Sequence, residues 1–175
     1  ATLQCDDGPP RLQLAQSRLL PVGSSALPAQ RWQLPLQVRT PAGTSRLLMT
    51  DAETTLALPD ADCPAWVQAN AGGSGYWRTV YTGDGLARLA AAPGLPIGEW
   101  LALLDDAIGL HASGDIGSAQ ALALVQAAAA HPSGEVLQAA MALLQHLKPL
   151  VAADQQAAYA ARWQAAFGER ARRLG

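Results

Sequence analysis

A β-sandwich followed by an α-helical hairpin array, two small domains in one chain, is the fold class this sequence predicts. Three observations predict it. From Leu12 to Tyr81 the hydrophobic period is two, and after Tyr81 it becomes that of a helix. Alanine is sparse in the first half and very common in the second. Turn residues punctuate the first half at close spacing, with no helical stretch between them. The expected boundaries are an antiparallel β-sandwich over 1–82, a linker with a short helix over 83–96 and a helical domain over 97–175, resembling a right-handed solenoid.

The strands follow in order. "RLQLAQ" places Leu12 and Leu14 on one face. "RWQLPLQV" does the same with Trp32, Leu34, Leu36 and Val38, against Gln33, Pro35 and Gln37 on the other face. Pro35 cannot donate to a ladder, which predicts an edge strand or a bulge there. "TLQC", "RLLMT", "TTLAL", "WVQAN" and "GYWRTVY" complete the set, separated by "DDGPP", "PVGSSALPAQ", "TPAGTS", "DAE" and "PDADCPA". About seven short strands so spaced predict a sandwich.

The helices come next. "GDGLARLAAAP" reads as one short helix ended by Pro93. "PIGEWLALLDDAIGLHASG" brings Trp100, Leu103, Leu104 and Ile108 to one face, and Gly114 stops it. "SAQALALVQAAAAHP" starts at Ser118 as N-cap and ends before Pro132. "SGEVLQAAMALLQHL" carries Val136, Leu137, Ala140, Leu143, Leu144 and Leu147 on a wide stripe. "DQQAAYAARWQAAFGERARRL" repeats the pattern with Tyr159, Trp163 and Phe167. Short links make such helices antiparallel neighbours. Arg170, Arg172 and Arg173 suit a helix C-terminus and read as solvated surface.

Composition narrows the function classes. With 50% hydrophobic and 15% charged residues the chain is a folded protein rather than a disordered one. A formal net charge of −2 gives no electrostatic case for nucleic acid or an anionic membrane. No run approaches the roughly 20 apolar residues of a membrane span. "ATLQCDDGPP" lacks the features of a signal peptide and an initiator methionine, which suggests a processed or excised piece of something longer. Cys5 and Cys63 match no zinc spacing. Two separately buried thiols is the ordinary reading; a disulfide between the first strand and a later one is the alternative and would imply an oxidising compartment.

"NAGGSGYWRTVY", Asn70 to Tyr81, first suggests a phosphate loop. Such a loop needs a helix after it, and the alternating aromatic and β-branched residues of "GYWRTVY" predict a strand instead. No lysine follows the glycines. Gly72, Gly73 and Gly75 are therefore expected to supply positive φ for a turn between strands. His111, His131 and His146 belong to no HExxH and form no i, i+4 pair. Asp105 and Asp106 sit on adjacent faces of one helix and cannot converge on one substrate atom. The serines lack the nucleophile-elbow context. Trp32, Trp66, Tyr76, Trp77 and Tyr81 fill a core more readily than they build a sugar platform. The residues thus give no catalytic, cofactor-binding or metal-ligating set.

The order of elements nevertheless resembles one family. "LQLAQSRLL", "RWQLPLQV", "TTLAL", "WVQANAGGSGYWRTVY", "GLARLAA" and "WLALLDDAIGLHASGDI" are similar, in sequence, to the zinc aminopeptidases that include aminopeptidase N, the puromycin-sensitive enzyme and the endoplasmic-reticulum aminopeptidases. Asn70, Gly75, Tyr76, Trp77, Arg78 and Tyr81 occupy the positions of that family's N-x-G-x-x-G-[YF]-[YW]-R-[VT]-x-Y hairpin. Leu103, Leu104, Asp106 and Ala107 occupy those of its L-[IL]-x-D-A helix. Where the family usually has Asp-Arg, this chain has Glu99 and Trp100, and its helical part is shorter than is common there.

The resemblance covers Leu12 to Ile116 and implies a segment downstream of a catalytic domain. The family's zinc ligands and substrate loop have no counterpart in these residues. The implied function is a non-catalytic C-terminal segment that supports the catalytic domain and walls a peptide chamber. Its implied partners are the catalytic domain of the same polypeptide and, in the parent enzyme, peptide substrates; zinc is implied for the parent and no cofactor for this segment. An exported or periplasmic location is favoured if Cys5 and Cys63 are bridged. The alternative is an independent ligand- or carbohydrate-binding sandwich on a helical scaffold, which needs an exposed row of aromatic rings.

Overall fold

The computed structural model describes residues 1–6, 8–25 and 28–174, with side chains to Arg172. Of the predicted turn segments, Asp7, Ala26 and Leu27 lie outside the described residues, as does the side chain of Arg173. Among the described residues five strands form: β1 Thr2–Gln4, β2 Arg11–Ala15, β3 Leu34–Thr40, β4 Gly43–Met49 and β5 Glu53–Ala57. They make two antiparallel sheets, one ordered β1-β2-β5 and the other β3-β4. The period-two reading locates their buried faces. Leu12 and Leu14 of β2 and Leu36 and Val38 of β3 are buried, while Arg11, Gln13, Pro35 and Gln37 are exposed. Pro35 lies in a strand with a ladder on one side only, to β4, apart from a single bridge at Arg39.

Of the seven strands expected for a sandwich, five form among the described residues. "RWQLPLQV" enters its strand late, at Leu34, because the Gln16 side chain already holds the Trp32 backbone. Trp32 N–H donates to Gln16 Oε1 at 2.8 Å, and Gln16 Nε2 donates to Trp32 C=O at 3.1 Å. "WVQAN" makes one bridge, in which Gln68 and Arg39 exchange both backbone bonds at 2.8 Å. "GYWRTVY" is not a strand at all. Two of its amides are spent on side chains: Gly75 N–H on Asn70 Oδ1 at 2.9 Å, and Thr79 N–H on Asp106 Oδ2 at 3.2 Å. A segment whose donors go to side chains cannot build a ladder.

Five α-helices follow among the described residues: α1 Gly85–Ala90, α2 Ile97–Ser113, α3 Ser118–Ala129, α4 Gly134–Leu147 and α5 Gln156–Leu174. Gly114 (φ 80°) ends α2 as expected. Ser118 is not the cap of α3 but its first residue; Gly117 takes the cap position, and its N–H donates to Gln120 Oε1 at 3.0 Å. Of the predicted α2 stripe, Trp100, Leu103 and Leu104 are buried and Ile108 only half-buried, with Ala107 and Leu110 completing the buried face; the predicted α4 stripe, Val136, Leu137, Ala140, Leu143, Leu144 and Leu147, is buried throughout. α5 lays Tyr159, Trp163 and Phe167 against this core, and Tyr159 O–H donates to Leu144 C=O at 2.7 Å. Arg170 is no free surface charge: it donates to the His131 carbonyl at 2.7 Å and to that of Pro132. Buried residues from strands and helices, Leu12, Val38, Leu89, Leu104 and Val136 among them, belong to one contiguous cluster.

The sulfur atoms of Cys5 and Cys63 lie 2.10 Å apart, at bonding distance, at a sequence separation of 58. A bridge across that separation removes chain entropy worth about 4 kcal/mol from the unfolded state. Thiol titration of the denatured, unreduced protein is therefore expected to find no free thiol. Cys5→Ser should lower the unfolding free energy by about 4 kcal/mol in denaturant melts.

Candidate functional site

The densest polar constellation lies where the β3–β4 sheet meets the first turn of α2. Glu99 is 2% exposed, an uncommon place for a carboxylate. Three donors compensate its burial. Arg39, reaching from β3, gives Nη2 to Glu99 Oε2 at 2.5 Å and Nε to Oε1 at 3.3 Å. The Gly72 N–H adds a third bond to Oε1 at 2.8 Å. The Arg39 guanidinium sits 5.0 Å from the ring centroid of buried Trp66, a cation–π placement.

Around this pair the Asn70–Tyr81 segment is tied down residue by residue. Ala71–Gly73 is a 3₁₀ turn in which Gly72 and Gly73 take positive φ, 79° and 62°. Gly75, expected to do likewise, does not. Its lack of a side chain serves packing instead, since a Cβ there would lie 2.0 Å from the Trp77 ring. A Cβ on Gly73 would stand 2.7 Å from the Gly98 carbonyl, so the turn rests directly on the α2 backbone. Asn70 closes the turn with both ends of its amide, accepting from Gly75 N–H at 2.9 Å and donating to Gly75 C=O at 3.2 Å. Tyr81 O–H donates to Gln68 Oε1 at 2.8 Å and accepts from Ala69 N–H at 3.0 Å. Burial pushes the Tyr81 phenol well above its ordinary pKa, so it stays a neutral donor.

Farther along α2, Arg78 lies across Gly109 and pairs with Asp105 at 3.0 Å. Asp106, half-buried beneath the segment, accepts from Thr79 N–H. Its carboxyl is pushed up to about 7, first by burial and then by its neighbour Asp105, while the Thr79 N–H and Arg78 pull the other way. The two aspartates thus reach different partners, as their adjacent faces require.

Residues 66–175 match the ERAP1-like C-terminal domain family, from Trp66 beneath the Arg39 guanidinium onward. The chain belongs to that family. No curated protein matches the sequence.

In this ERAP1-like C-terminal domain the residues that carry the resemblance are structural fasteners. Asn70, Gly75, Trp77, Arg78 and Tyr81 fix the segment to itself or to α2, and Leu103, Leu104 and Ala107 are core. The departure at Glu99-Trp100 is put to use in two directions: Glu99 turns to Arg39, while Trp100 is buried in the core and meets the His131 ring at 6.0 Å. Sequence reading missed Arg39, Gln68 and Glu99 as members of one site. Their partners lie on different elements, and the one available signal was a glutamate in the first turn of a helix.

The geometry offers little else for chemistry. Among the described residues no three His, Cys, Asp or Glu side chains are grouped so as to hold a metal, so the residues present do not fit the zinc centre that the resemblance implies for a parent enzyme. Nor is there a row of exposed rings for a sugar. Trp66 and Tyr81 are buried, Trp32 and Trp77 half-buried, and Tyr76 alone of that set stands fully exposed, contrary to its expected place in a core. A groove of about 750 Å³ between α3 and α5 is lined mainly by aliphatic side chains with Arg162 as its one charge. No helix among the described residues is long and apolar enough to cross a membrane.

Two predictions follow from the joint. Glu99→Ala leaves the Arg39 guanidinium and the Gly72 N–H without their acceptor and should cost about 3 kcal/mol of stability in urea melts. Glu99→Gln, which keeps an oxygen for Gly72, should cost less. Asp106 supplies the second. With its folded pKa near 7 against an ordinary 3.8, the folded chain holds a proton that the unfolded chain has lost between those values. Stability therefore falls as pH rises through that window. Asp106→Asn is expected to flatten the fall and to be the more stable protein at pH 8, by on the order of 1–3 kcal/mol.

Proposed function

We propose that this chain is the non-catalytic C-terminal segment of a zinc-dependent aminopeptidase, a protein that removes N-terminal residues from peptides. In that role the strand layer supports the catalytic domain of the same polypeptide and the helices wall the chamber that holds peptide substrates. The observation that carries this reading is the spending of the motif residues. The residues most specific to the resemblance, Asn70 to Tyr81, are consumed in fixing a helical array to a sheet layer, with the family match beginning at Trp66. A segment built in this way contributes shape rather than reacting groups. A disulfide between Cys5 and Cys63 would place the parent in an exported or periplasmic setting.

The reading is checked by turnover. The isolated chain, with or without added zinc, is expected not to hydrolyse aminoacyl chromogenic substrates, and the coding sequence upstream of Ala1 is expected to carry HExxH. Robust turnover by this chain alone, abolished by no upstream change, would overturn the assignment.

A further inference from the structure

Two histidines take no part in the joint, and they meet. His111 lies in the last turn of α2 and His146 in the last turn of α4, with ring centroids 5.4 Å apart and planes at 90°. His131, by contrast, is committed: its Nδ1 accepts from Ser133 N–H at 3.1 Å and its ring packs near Trp100. His111 Nε2 stands 3.0 Å from Ser118 Oγ, the first residue of α3. His146 has no hydrogen-bond partner among the described residues, yet no buried side-chain nitrogen or oxygen among them goes unpaired, so its ring nitrogens reach solvent.

We propose that His111 and His146 form a two-imidazole site for a late first-row divalent cation, one that ties the C-terminal end of α2 to that of α4. Three features on different elements carry the proposal. The spacing fits: a tetrahedral ion about 2.0–2.1 Å from one nitrogen of each ring sets the centroids roughly 5 Å apart. The orientation fits: the Ser118 hydroxyl on Nε2 leaves Nδ1 of His111 as the ligating atom, and a hydrogen bond to the far nitrogen is how ligating imidazoles are held. The field fits: both rings sit at helix C-termini, whose partial negative charge favours a cation. Water fills the remaining positions. The affinity order expected for imidazole donors is copper(II) above nickel and zinc. The site is independent of the aminopeptidase reading and needs no catalytic role.

The test titrates nickel and zinc into the purified chain against a chromogenic chelator near neutral pH and follows thermal melting in parallel. One equivalent should bind and raise the melting temperature. His111→Gln and His146→Gln should each weaken binding at least about tenfold and abolish that rise, whereas His131→Gln should keep both. No saturable binding up to millimolar metal, or affinity unchanged in either of the first two variants, overturns the proposal. Should a variant lose its helical circular dichroism, broadening of the wild-type imidazole proton resonances by copper(II) decides instead: His111 and His146 are expected to broaden first, and His131 broadening before them overturns the site.

Discussion

The Glu99 carboxylate sits in almost complete burial at the start of α2, and the rest of the structure takes its bearings from how that charge is satisfied. One oxygen meets the Arg39 Nη2 from β3; the other meets Arg39 Nε and the Gly72 amide from the turn between them. Three stretches distant in sequence are thus bound through two oxygens. Trp66 closes the assembly from below, its ring against the same guanidinium. Removing water from such a pair is costly, and the cost is met only when every donor arrives in register. The close rest of Gly73 on Gly98, where no side chain could stand, lets the turn deliver its amide.

From this joint the helical array inherits its position. α2 is the element that touches both worlds: its first turn carries Glu99, its middle receives Thr79 and Arg78 through Asp106 and Asp105, and its apolar face packs on α3 and α4. The alanines of α3 and α4, Ala121, Ala128 and Ala140, are fully buried, so the axes approach closely and little slack remains between helices. An orientation set at Glu99 is therefore carried to Leu143 and Leu144 chiefly through apolar packing. Mixed α and β construction is the outcome, with two small sheets and the helices contributing to a single core.

Elements whose order depends on local chemistry were legible in the residues. The β2 and β3 faces, the stripes of α2 and α4 and the stop at Gly114 all follow from periodicity and capping. In the stretch from Trp66 to Tyr81 the turn at Gly72 and Gly73 was legible and the flanking strands were not, because alternating aromatic and β-branched residues are compatible with a strand, and what decided otherwise was the destination of the amides. Asn70 and Asp106 compete for Gly75 and Thr79 N–H groups that a partner strand would have needed. That competition is between a local side chain, a helix and an absent strand, and no window of sequence contains all three. The same limit hid Arg39 from Glu99, which lie 60 positions apart. Tyr76 fails for a simpler reason: it stands at the tip of a turn whose neighbours face inward, and the alternation that buries Trp77 in part exposes it.

A buried ion pair adds little net stability compared with apolar residues of the same volume, and this bears on why the joint is polar. An apolar contact between β3 and α2 would tolerate sliding and rotation, since hydrophobic burial has no direction. Two carboxylate oxygens with three assigned donors tolerate neither. A shift of α2 by one residue would carry Glu99 about 100° around the helix axis, away from Arg39 and Gly72 together. The polar joint thus selects one register of helix on sheet at modest energetic gain. That selection is what the contacts around Asn70–Tyr81 secure.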